Sequence, residues 1–325
     1  MGSLVAGMAM SHAPLMVAES AAPPEEQTNA VGRGLQQLRA ELEAAKPDLI
    51  LAVIDDHFEN FFRPLMPTFA LAVGDSNYGP PDHYVSWLGV EQREIANHPA
   101  FANDLLGHAV RSGFDLVRIE RVALGHALIV PMETLRPEYD IPVVPLLTNV
   151  FTAPAPTIDR AMELGACIRE FVARRPERVA VIATGALSHW PPYWRPESDV
   201  PMDPFLERMK RFQEGGLGVL ESDPNLYHDF GARENEMAAA GERVINPEWD
   251  RRALEAFTAG DLDWLRNLTY EEVCADGGHG GYEVLNWAML AAIMGGAPAE
   301  VVGYEAVREW IGGIGILRFD AQELS

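Results

Sequence analysis

Two short apolar segments, residues 4–10 and 48–54, limit most strongly how this chain can fold. Both are partly β-branched, and each is followed by a histidine, His12 after the first segment and His57 after the second. Runs of this length and composition predict buried strands of a parallel sheet. Ligands usually gather at the carboxyl ends of such strands. The two histidines are therefore the first candidates for one shared metal site.

The rest of the pattern extends these strands into an α/β fold. Helices are predicted over residues 29–45, 101–112, 158–174, 203–220, 234–240, 248–259 and 282–294, and further strands over 67–73, 116–122, 143–150, 179–184 and 312–319. The loop around residues 79–83 has turn chemistry and too few periodic residues for a regular element. We expect one catalytic domain over residues 1–325, an α/β/α sandwich around a mixed, largely parallel sheet. The mainly helical residues 201–295 should cover its active-site edge.

The net charge of −23, from 48 acidic and 25 basic residues, limits the molecules that the protein can bind. Such a charge repels nucleic acid and anionic membrane surfaces, so we expect neither as a partner. No apolar run approaches the roughly 20 residues that span a bilayer, and the N-terminus lacks the features of a signal peptide. Cys167 and Cys274 show no metal-type spacing, which favours free thiols. We expect a cytoplasmic homo-oligomer that acts on a small molecule.

A ferrous ion that activates oxygen needs about three protein ligands, two imidazoles and one carboxylate. His12 and His57 supply the imidazoles in this hypothesis, and Glu283 supplies the carboxylate. Glu283 follows the glycine-rich residues 277–281, on a helical segment whose other members are nearly all apolar. A carboxylate on so buried a helix needs a compensating partner, and a cation would serve. The residues therefore predict a mononuclear Fe(II) site.

The third ligand has rivals, because a chain with 48 acidic residues offers many carboxylates. Glu236 and Glu242 are the alternative carboxylates. His279 lies four residues before Glu283, one helical turn away, and is a competing ligand on the same face. A structural role at the glycine turn is the preferred interpretation of His279.

Two more histidines lie in short apolar contexts. His189 follows the strand predicted over 179–184 through a short turn, and the next residues include two prolines that keep a helix from starting directly after it. A histidine held in this way suits proton transfer at neutral pH, and the alternative is a packed histidine bonded to the backbone. Ser188 lacks the Gly-x-Ser-x-Gly elbow of a nucleophile. His126 is the weaker candidate on local grounds.

Five motifs stand in order along most of the chain. They are Ser11, His12, Ala13 and Pro14; Asp56 and His57 with Phe61, Phe62, Met66, Pro67, Thr68 and Phe69; residues 185–189; Asn246, Pro247, Glu248, Trp249 and Asp250; and residues 278–287. This series resembles the class III extradiol ring-cleaving dioxygenases. The resemblance implies Fe(II) held by His12, His57 and Glu283, an acid/base at His189, and His126 in the pocket for catalysis or substrate binding.

The resemblance also implies a reaction. A small aromatic diol of the catechol, gallate or aminophenol type would be cleaved with O2, beside and not between its two oxygen substituents. From the residues alone, two other functions stay open: a zinc-type hydrolase on the same ligands, and a non-catalytic metal-binding interaction protein on the same scaffold.

Residues 124–127 depart from the family pattern. Relatives often carry an aspartate before this histidine, whereas Gly125 precedes His126 here. The change removes a carboxylate that could orient the ring of His126. Elsewhere, Arg63 is the basic residue nearest in sequence to the motifs, and it is our candidate for binding a substrate carboxylate.

Overall fold

The computed structural model describes residues 2–324 as strands and helices that alternate through the first half of the chain. The strands are β1 (Ser3–Met10), β2 (Leu49–Asp55), β3 (Phe69–Ala72), β4 (Ser76–Gly79), β5 (Arg93–Ala96), β6 (Val117–Ile119), β7 (Val143–Thr148), β8 (Arg178–Thr184), β9 (Glu300–Val307), β10 (Gly312–Phe319) and β11 (Gln322–Glu323).

The helices are α1 (Leu15–Ala18), α2 (Glu25–Ala45), α3 (Asp82–Leu88), α4 (Pro99–Arg111), α5 (His126–Leu135), α6 (Ile158–Val172), α7 (Pro204–Gly215), α8 (Val219–Ser222), α9 (Leu226–Ala240), α10 (Pro247–Ala259), α11 (Asp263–Arg266), α12 (Tyr270–Asp276) and α13 (Val284–Ile293). Two 3-10 turns cover Gly280–Glu283 and Arg308–Trp310. Among the described residues, no helix is both long enough and apolar enough to cross a bilayer.

Within residues 2–324, nine strands form one sheet in the order β6-β3-β7-β2-β8-β1-β10-β9, with β11 paired to β1. The central strands β7, β2, β8 and β1 run parallel, and antiparallel pairs join β3 to β7, β10 to β1 and β9 to β10. The expected mixed, largely parallel sheet is confirmed. Because β8 lies between β1 and β2, the carboxyl ends of the strands before His12 and His57 are close neighbours.

Helices α2 and α13 pack against the sheet, and each contacts a second helix. Helix α2 contacts β1, β9, β10 and α5, while α13 contacts β1, β2, β8 and α6. Nearly every residue of α13 is buried, and Asn286 is the polar one among them. A helix that is apolar all round belongs in a protein interior. Its position in the core carries Glu283, the residue directly before it, into the core as well.

The structure corrects the expected loop at residues 79–83. The chain passes from this turn into helix α3, which has 7 residues and buries Tyr84 and Leu88. A single buried i,i+4 pair carries little periodic signal, so the sequence predicted the turn at residues 80–81 and missed the helix that begins at Asp82. The helix predicted over 203–220 also ends early, where Gly216 adopts a φ of 79°.

Helix α9 is longer than the sequence pattern indicates. The helix predicted over 234–240 begins at Leu226 in the structure. Its buried face includes Gly231 and Glu234 between apolar residues, which interrupts the apolar period. Helices α3 and α9 contact each other, and both contribute to the candidate site.

Candidate active site

The carboxyl edge of the sheet brings three of the predicted site residues together. His12 and His57 each follow a central strand by two residues, and Glu283 ends the 3-10 turn before α13. Glu283 Oε1 lies 3.3 Å from His12 Nε2 and 3.3 Å from His57 Nε2. All three side chains are buried. Two imidazoles and one carboxylate therefore converge on one point.

A pair of hydrogen bonds fixes the ring of His12. His12 Nδ1 lies 2.9 Å from Thr184 Oγ1, and the Thr184 hydroxyl donates to the carbonyl of Ala127 at 2.7 Å. Because the hydroxyl proton is used in that bond, Thr184 accepts from His12, whose neutral ring then carries its proton on Nδ1. Burial lowers the pKa of His12 and favours this neutral form. Nε2 is left with a lone pair directed at Glu283.

Glu283 is held by one of its two oxygens. Oε2 accepts a hydrogen bond from the backbone N–H of Ala186, whereas Oε1 has no hydrogen-bond partner in the described part of the chain. Burial raises the pKa of Glu283 to about 7. The close approach of the two segments requires Gly185, which has a φ of 154°, because a Cβ there would lie 2.6 Å from the Cβ of Glu283.

Asp55 is a member of this cluster that the sequence did not identify. It ends β2, its Oδ2 lies 3.2 Å from His57 Nε2, and its Oδ1 accepts from the Asn286 amide at 3.0 Å. Burial first, and the Glu283 carboxylate second, raise the pKa of Asp55 well above its usual range. Two adjacent acids end this strand, and their sequence does not reveal which one points at the site.

The unpaired atoms of the cluster fit a divalent cation. The ligand atoms of His12, Asp55, His57 and Glu283 all lie within 4.8 Å of one another. His12 Nε2, Asp55 Oδ2 and Glu283 Oε1 lack hydrogen-bond partners within residues 2–324. Buried carboxylates that face each other are costly unless a cation compensates them. Imidazole nitrogens with carboxylate oxygens suit non-haem Fe(II), and zinc accepts the same donors.

His189 faces the same point from the turn after β8. Its Nδ1 donates to the carbonyl of Leu187 at 3.1 Å, and its Nε2 lies 3.7 Å from Glu283 Oε1. Because Nδ1 holds the proton of the neutral ring, Nε2 has the lone pair that a general base needs. Burial, the largest influence, lowers the pKa of His189 against the opposite effect of the Glu283 carboxylate.

The motif at residues 246–250 supports the turn that carries His189. The backbone N–H of Ser188 donates to Asp250 Oδ1 at 2.7 Å, and Ser188 Oγ accepts from the backbone N–H of Asn246 at 2.7 Å. Asp250 also accepts from the Tyr304 hydroxyl at 2.7 Å. These contacts give Ser188 a structural role, in agreement with the absence of a nucleophile elbow.

The glycine-rich segment packs directly on His189. A Cβ at Gly280 would lie 2.2 Å from His189 Nε2, and one at Gly278, where φ is 82°, would lie 2.0 Å from the His189 carbonyl oxygen. Within the same segment, His279 Nε2 donates to the carbonyl of Pro191. His279 therefore has the structural role preferred from the sequence, and it lies outside the metal cluster.

The two rival carboxylates also lie outside the cluster. The side chain of Glu236 is 69% exposed and pairs with Arg233 at 3.4 Å. Glu242 is exposed as well. Of the acidic residues weighed from the sequence, the structure brings only Glu283 to the two histidines.

His126 begins helix α5 and lies beside the metal cluster. Its ring centroid is 4.0 Å from that of His57 and 5.4 Å from that of His12. Burial, followed by the neighbouring histidines, lowers its pKa well below the usual range. The structure thus brings His126 to the same site as His189, as the resemblance implied.

A carboxylate occupies the space beside Gly125, where the family pattern has an aspartate. The Glu59 side chain is buried, its Oε2 accepts from the backbone N–H of His57, and its Oε1 would lie 1.9 Å from a Cβ at position 125. No local sequence signal marks Glu59, because only the fold brings residue 59 next to residue 125.

A cavity opens from the cluster toward helices α3 and α9. Besides the site histidines, its wall is mostly aromatic: the lining includes Tyr84, Trp87, Tyr193, Tyr227, Phe230 and Trp310, together with Glu234. Arg63, the predicted carboxylate-binding residue, does not line it. Arg63 instead donates to the Trp194 carbonyl at 2.8 Å and lies over the Trp194 ring.

The comparisons with known proteins agree with this geometry. Residues 6–317 match the family described as the catalytic LigB subunit of aromatic ring-opening dioxygenase. The chain is similar to 2,3-dihydroxyphenylpropionate/2,3-dihydroxicinnamic acid 1,2-dioxygenases. That of Photorhabdus laumondii subsp. laumondii is 30% identical over 323 residues, covering 94% of each chain, and that of Burkholderia vietnamiensis is 31% identical over 329 residues, covering 97% of each.

One solved structure supports the fold alone. The crystal structure of an uncharacterized protein from Escherichia coli K12 matches with a TM-score of 0.50 at 13% identity, covering 98% of this chain and 100% of the other.

Proposed function

The chain belongs to the family of the catalytic LigB subunit of aromatic ring-opening dioxygenases, and from this premise we propose that His12, His57 and Glu283 bind one Fe(II) ion. The protein is an enzyme, an extradiol ring-cleaving dioxygenase that acts on a dihydroxyphenyl compound. Membership of this family sets aside the hydrolase and the non-catalytic protein. The observation that supports the ligand set is the convergence of His12 Nε2, His57 Nε2 and Glu283 Oε1 within 3.3 Å contacts.

When bound, Fe(II) supplies coordination positions for the diol and O2 and a path for electrons between them. Around it, His189 is our proposed acid/base, since its Nδ1 is fixed by Leu187 and its Nε2 can take the proton of a diol hydroxyl and return it later. His126 is the second proposed catalytic histidine, because its ring adjoins that of His57. The aromatic wall of the cavity would hold the substrate ring and exclude water.

The proposed substrate is a small aromatic diol of the catechol, gallate or aminophenol type, used together with O2. Two relatives are named for compounds with a 2,3-dihydroxyphenyl ring, which supports this class.

We also propose that residues 1–325 act as one catalytic domain, in a homo-oligomer in the cytoplasm. The match over residues 6–317 supports the first point, and the free thiols Cys167 and Cys274 suit the reducing surroundings that Fe(II) needs.

The test begins with anaerobic loading of the purified protein with Fe(II) or Zn(II), followed by metal analysis and oxygen uptake with unsubstituted catechol. We expect about one iron per chain and oxygen uptake only with iron. The Glu283→Ala variant should lose most of its iron and all turnover, because it removes the carboxylate oxygen that lies 3.3 Å from both His12 and His57, whereas Asp55 Oδ2 contacts His57. The matched control is Glu236→Ala, which removes an exposed carboxylate. Full iron retention by Glu283→Ala would contradict the ligand assignment, and turnover with zinc alone would contradict the proposed metal.

A further inference from the structure

One carboxyl group in the cavity wall has no role in the site described so far. Glu234 lies on α9, belongs to the lining of the cavity, and is only 3% exposed. Its Oε2 has no hydrogen-bond partner in the described part of the chain. Burial, and secondarily the Glu19 carboxylate, raise the pKa of Glu234 to about 8. A buried polar group of this kind is costly unless a ligand completes its hydrogen bonds.

The charges of the lining residues point to the kind of ligand. Of the lining residues within 2–324, none is a lysine or an arginine, and Glu234 is the acidic one. A substrate carboxylate beside Glu234 would meet another carboxyl group and no lysine or arginine side chain of the cavity lining. An ammonium group beside Glu234 would favour its ionised form against the effect of burial, and charge-assisted hydrogen bonds to a carboxylate are about twice as strong as neutral ones.

On the basis of the proposed function, we propose that Glu234 receives the ring substituent of the diol and selects substituents that donate a hydrogen bond, an ammonium group above all, over carboxylates. The relatives named for 2,3-dihydroxyphenylpropionate carry the name of a carboxylated compound. The substrate of this chain would then differ from that compound at the end of the side chain and share its diol ring.

A neighbouring cavity is the alternative place for a carboxylate. It shares Pro191 and Tyr193 with the first cavity and is lined by three arginines, Arg195, Arg233 and Arg243. Each arginine already has partners: Arg195 pairs with Glu197 at 3.9 Å, Arg233 with Glu236 at 3.4 Å, and Arg243 donates to the Asp276 carbonyl at 3.1 Å. Because these arginines are already paired, we place the substituent in the cavity that Glu234 lines. The Arg195→Gln variant tests the neighbouring cavity as the alternative.

The experiment compares four catechols that differ only at the end of one side chain: 3-aminopropyl, 3-hydroxypropyl, propyl and 2-carboxyethyl, at the same ring position. With Fe(II)-loaded protein we measure kcat/KM from oxygen uptake, and anaerobic dissociation constants by calorimetry. We expect the order amine, alcohol, propyl, carboxylate. Glu234→Gln should lower kcat/KM for the amine by roughly 10- to 100-fold, the usual worth of a charge-assisted bond, and leave the propyl compound nearly unchanged. Glu236→Gln on the same helix is the control and should change neither.

Two results would overturn the proposal: a wild-type preference for the carboxylate, or a preference for the amine that survives Glu234→Gln. A preference for the carboxylate that disappears in Arg195→Gln would in addition place the substituent in the neighbouring cavity. The anaerobic dissociation constants give the order of preference even if no ring is cleaved. Absence of oxygen uptake with every compound, including unsubstituted catechol, would therefore contradict the proposed function. The role of Glu234 in binding would still be decided by the dissociation constants.

Discussion

The two sides of the cavity are built in different ways. At the sheet edge, the strands and the turns that follow them hold the reactive side chains, and backbone or threonine groups fix them: His12 bonds to Thr184 and His189 to Leu187. The opposite wall comes from α3 and α9, whose Tyr84 and Tyr227 rings pack edge to face with centroids 4.7 Å apart. The first side is oriented by directional hydrogen bonds and the second mainly by aromatic packing.

This difference separates the reaction from the choice of substrate. On the proposed assignment, the edge would hold its side chains in place for any diol and would perform the same proton transfers on each. The wall would contact the substituent that the ring carries. Substitutions at the edge should therefore lower turnover for every catechol, and substitutions in the wall should change the ranking of catechols.

Among residues other than the proposed metal ligands, replacement of the proposed acid/base histidine should give the largest effect. His189→Phe removes Nε2 and leaves the three proposed ligands in place, so turnover should fall by roughly 10² or more while iron content holds. The loss should be similar for all catechols, because the edge does not contact the substituent. Iron analysis and oxygen uptake across pH measure both quantities. A near-normal rate across pH would show that His189 only packs.

A smaller loss should follow from displacement of the same ring. In Gly280→Ala, the new Cβ would lie 2.2 Å from His189 Nε2, so the imidazole must shift. Small misplacements of a catalytic group cost up to about 100-fold, and we expect a loss between about 10- and 100-fold with full iron content. Gly281→Ala is the matched control, because its Cβ would meet no atom closer than 3.5 Å. Equal rates for the two variants would contradict the close packing on His189.

The contact between Glu59 and Gly125 predicts an effect on stability. In Gly125→Ala, the Cβ would lie 1.9 Å from Glu59 Oε1, and overpacking of this kind costs about 1–3 kcal/mol of unfolding free energy. Gly32→Ala, with nothing within 4 Å of its Cβ, is the control. The double variant Gly125→Ala with Glu59→Ala should be less destabilised than the sum of the single changes. Strict additivity in denaturant unfolding would show that the two residues do not touch.

The sequence predicted the edge better than the wall for a physical reason. Buried parallel strands are short apolar runs, and the polar residue that follows each run marks the place where a ligand can bind, so His12 and His57 were found from local pattern. Glu283 was found because an acid beside an apolar helix needs a partner. Those signals lie within a few residues of the side chain concerned.

The wall gave no such signal. Helix α3 is too short to show a period, and the buried face of α9 is interrupted by Gly231, which packs on Trp87, and by Glu234, which lines the cavity. Gly231 is needed because a Cβ there would lie 2.8 Å from Trp87 Nε1, on the other helix. Contacts of this kind join residues more than a hundred positions apart. For the same reason, the carboxylate of Glu59 beside Gly125 could not be read from the sequence.

The smallest expected effect concerns the burial of the Glu234 carboxyl group in the cavity wall. Burial raises the pKa of Glu234 from 4.5 to about 8, so the folded state holds its proton more tightly than the unfolded state. The contribution of protonated Glu234 to the stability of the folded state is fully present below about pH 4.5 and is lost as pH rises toward 8. The Glu234→Gln variant has no carboxyl group to ionise and so does not lose this stability. The difference in melting temperature, variant minus wild type, should therefore increase by roughly 1–4 °C between pH 5 and pH 8. Glu236→Gln, which removes an exposed carboxyl, should show no such trend. If the two variants follow the same pH dependence, Glu234 is solvated, and the wall loses the group on which its selectivity depends.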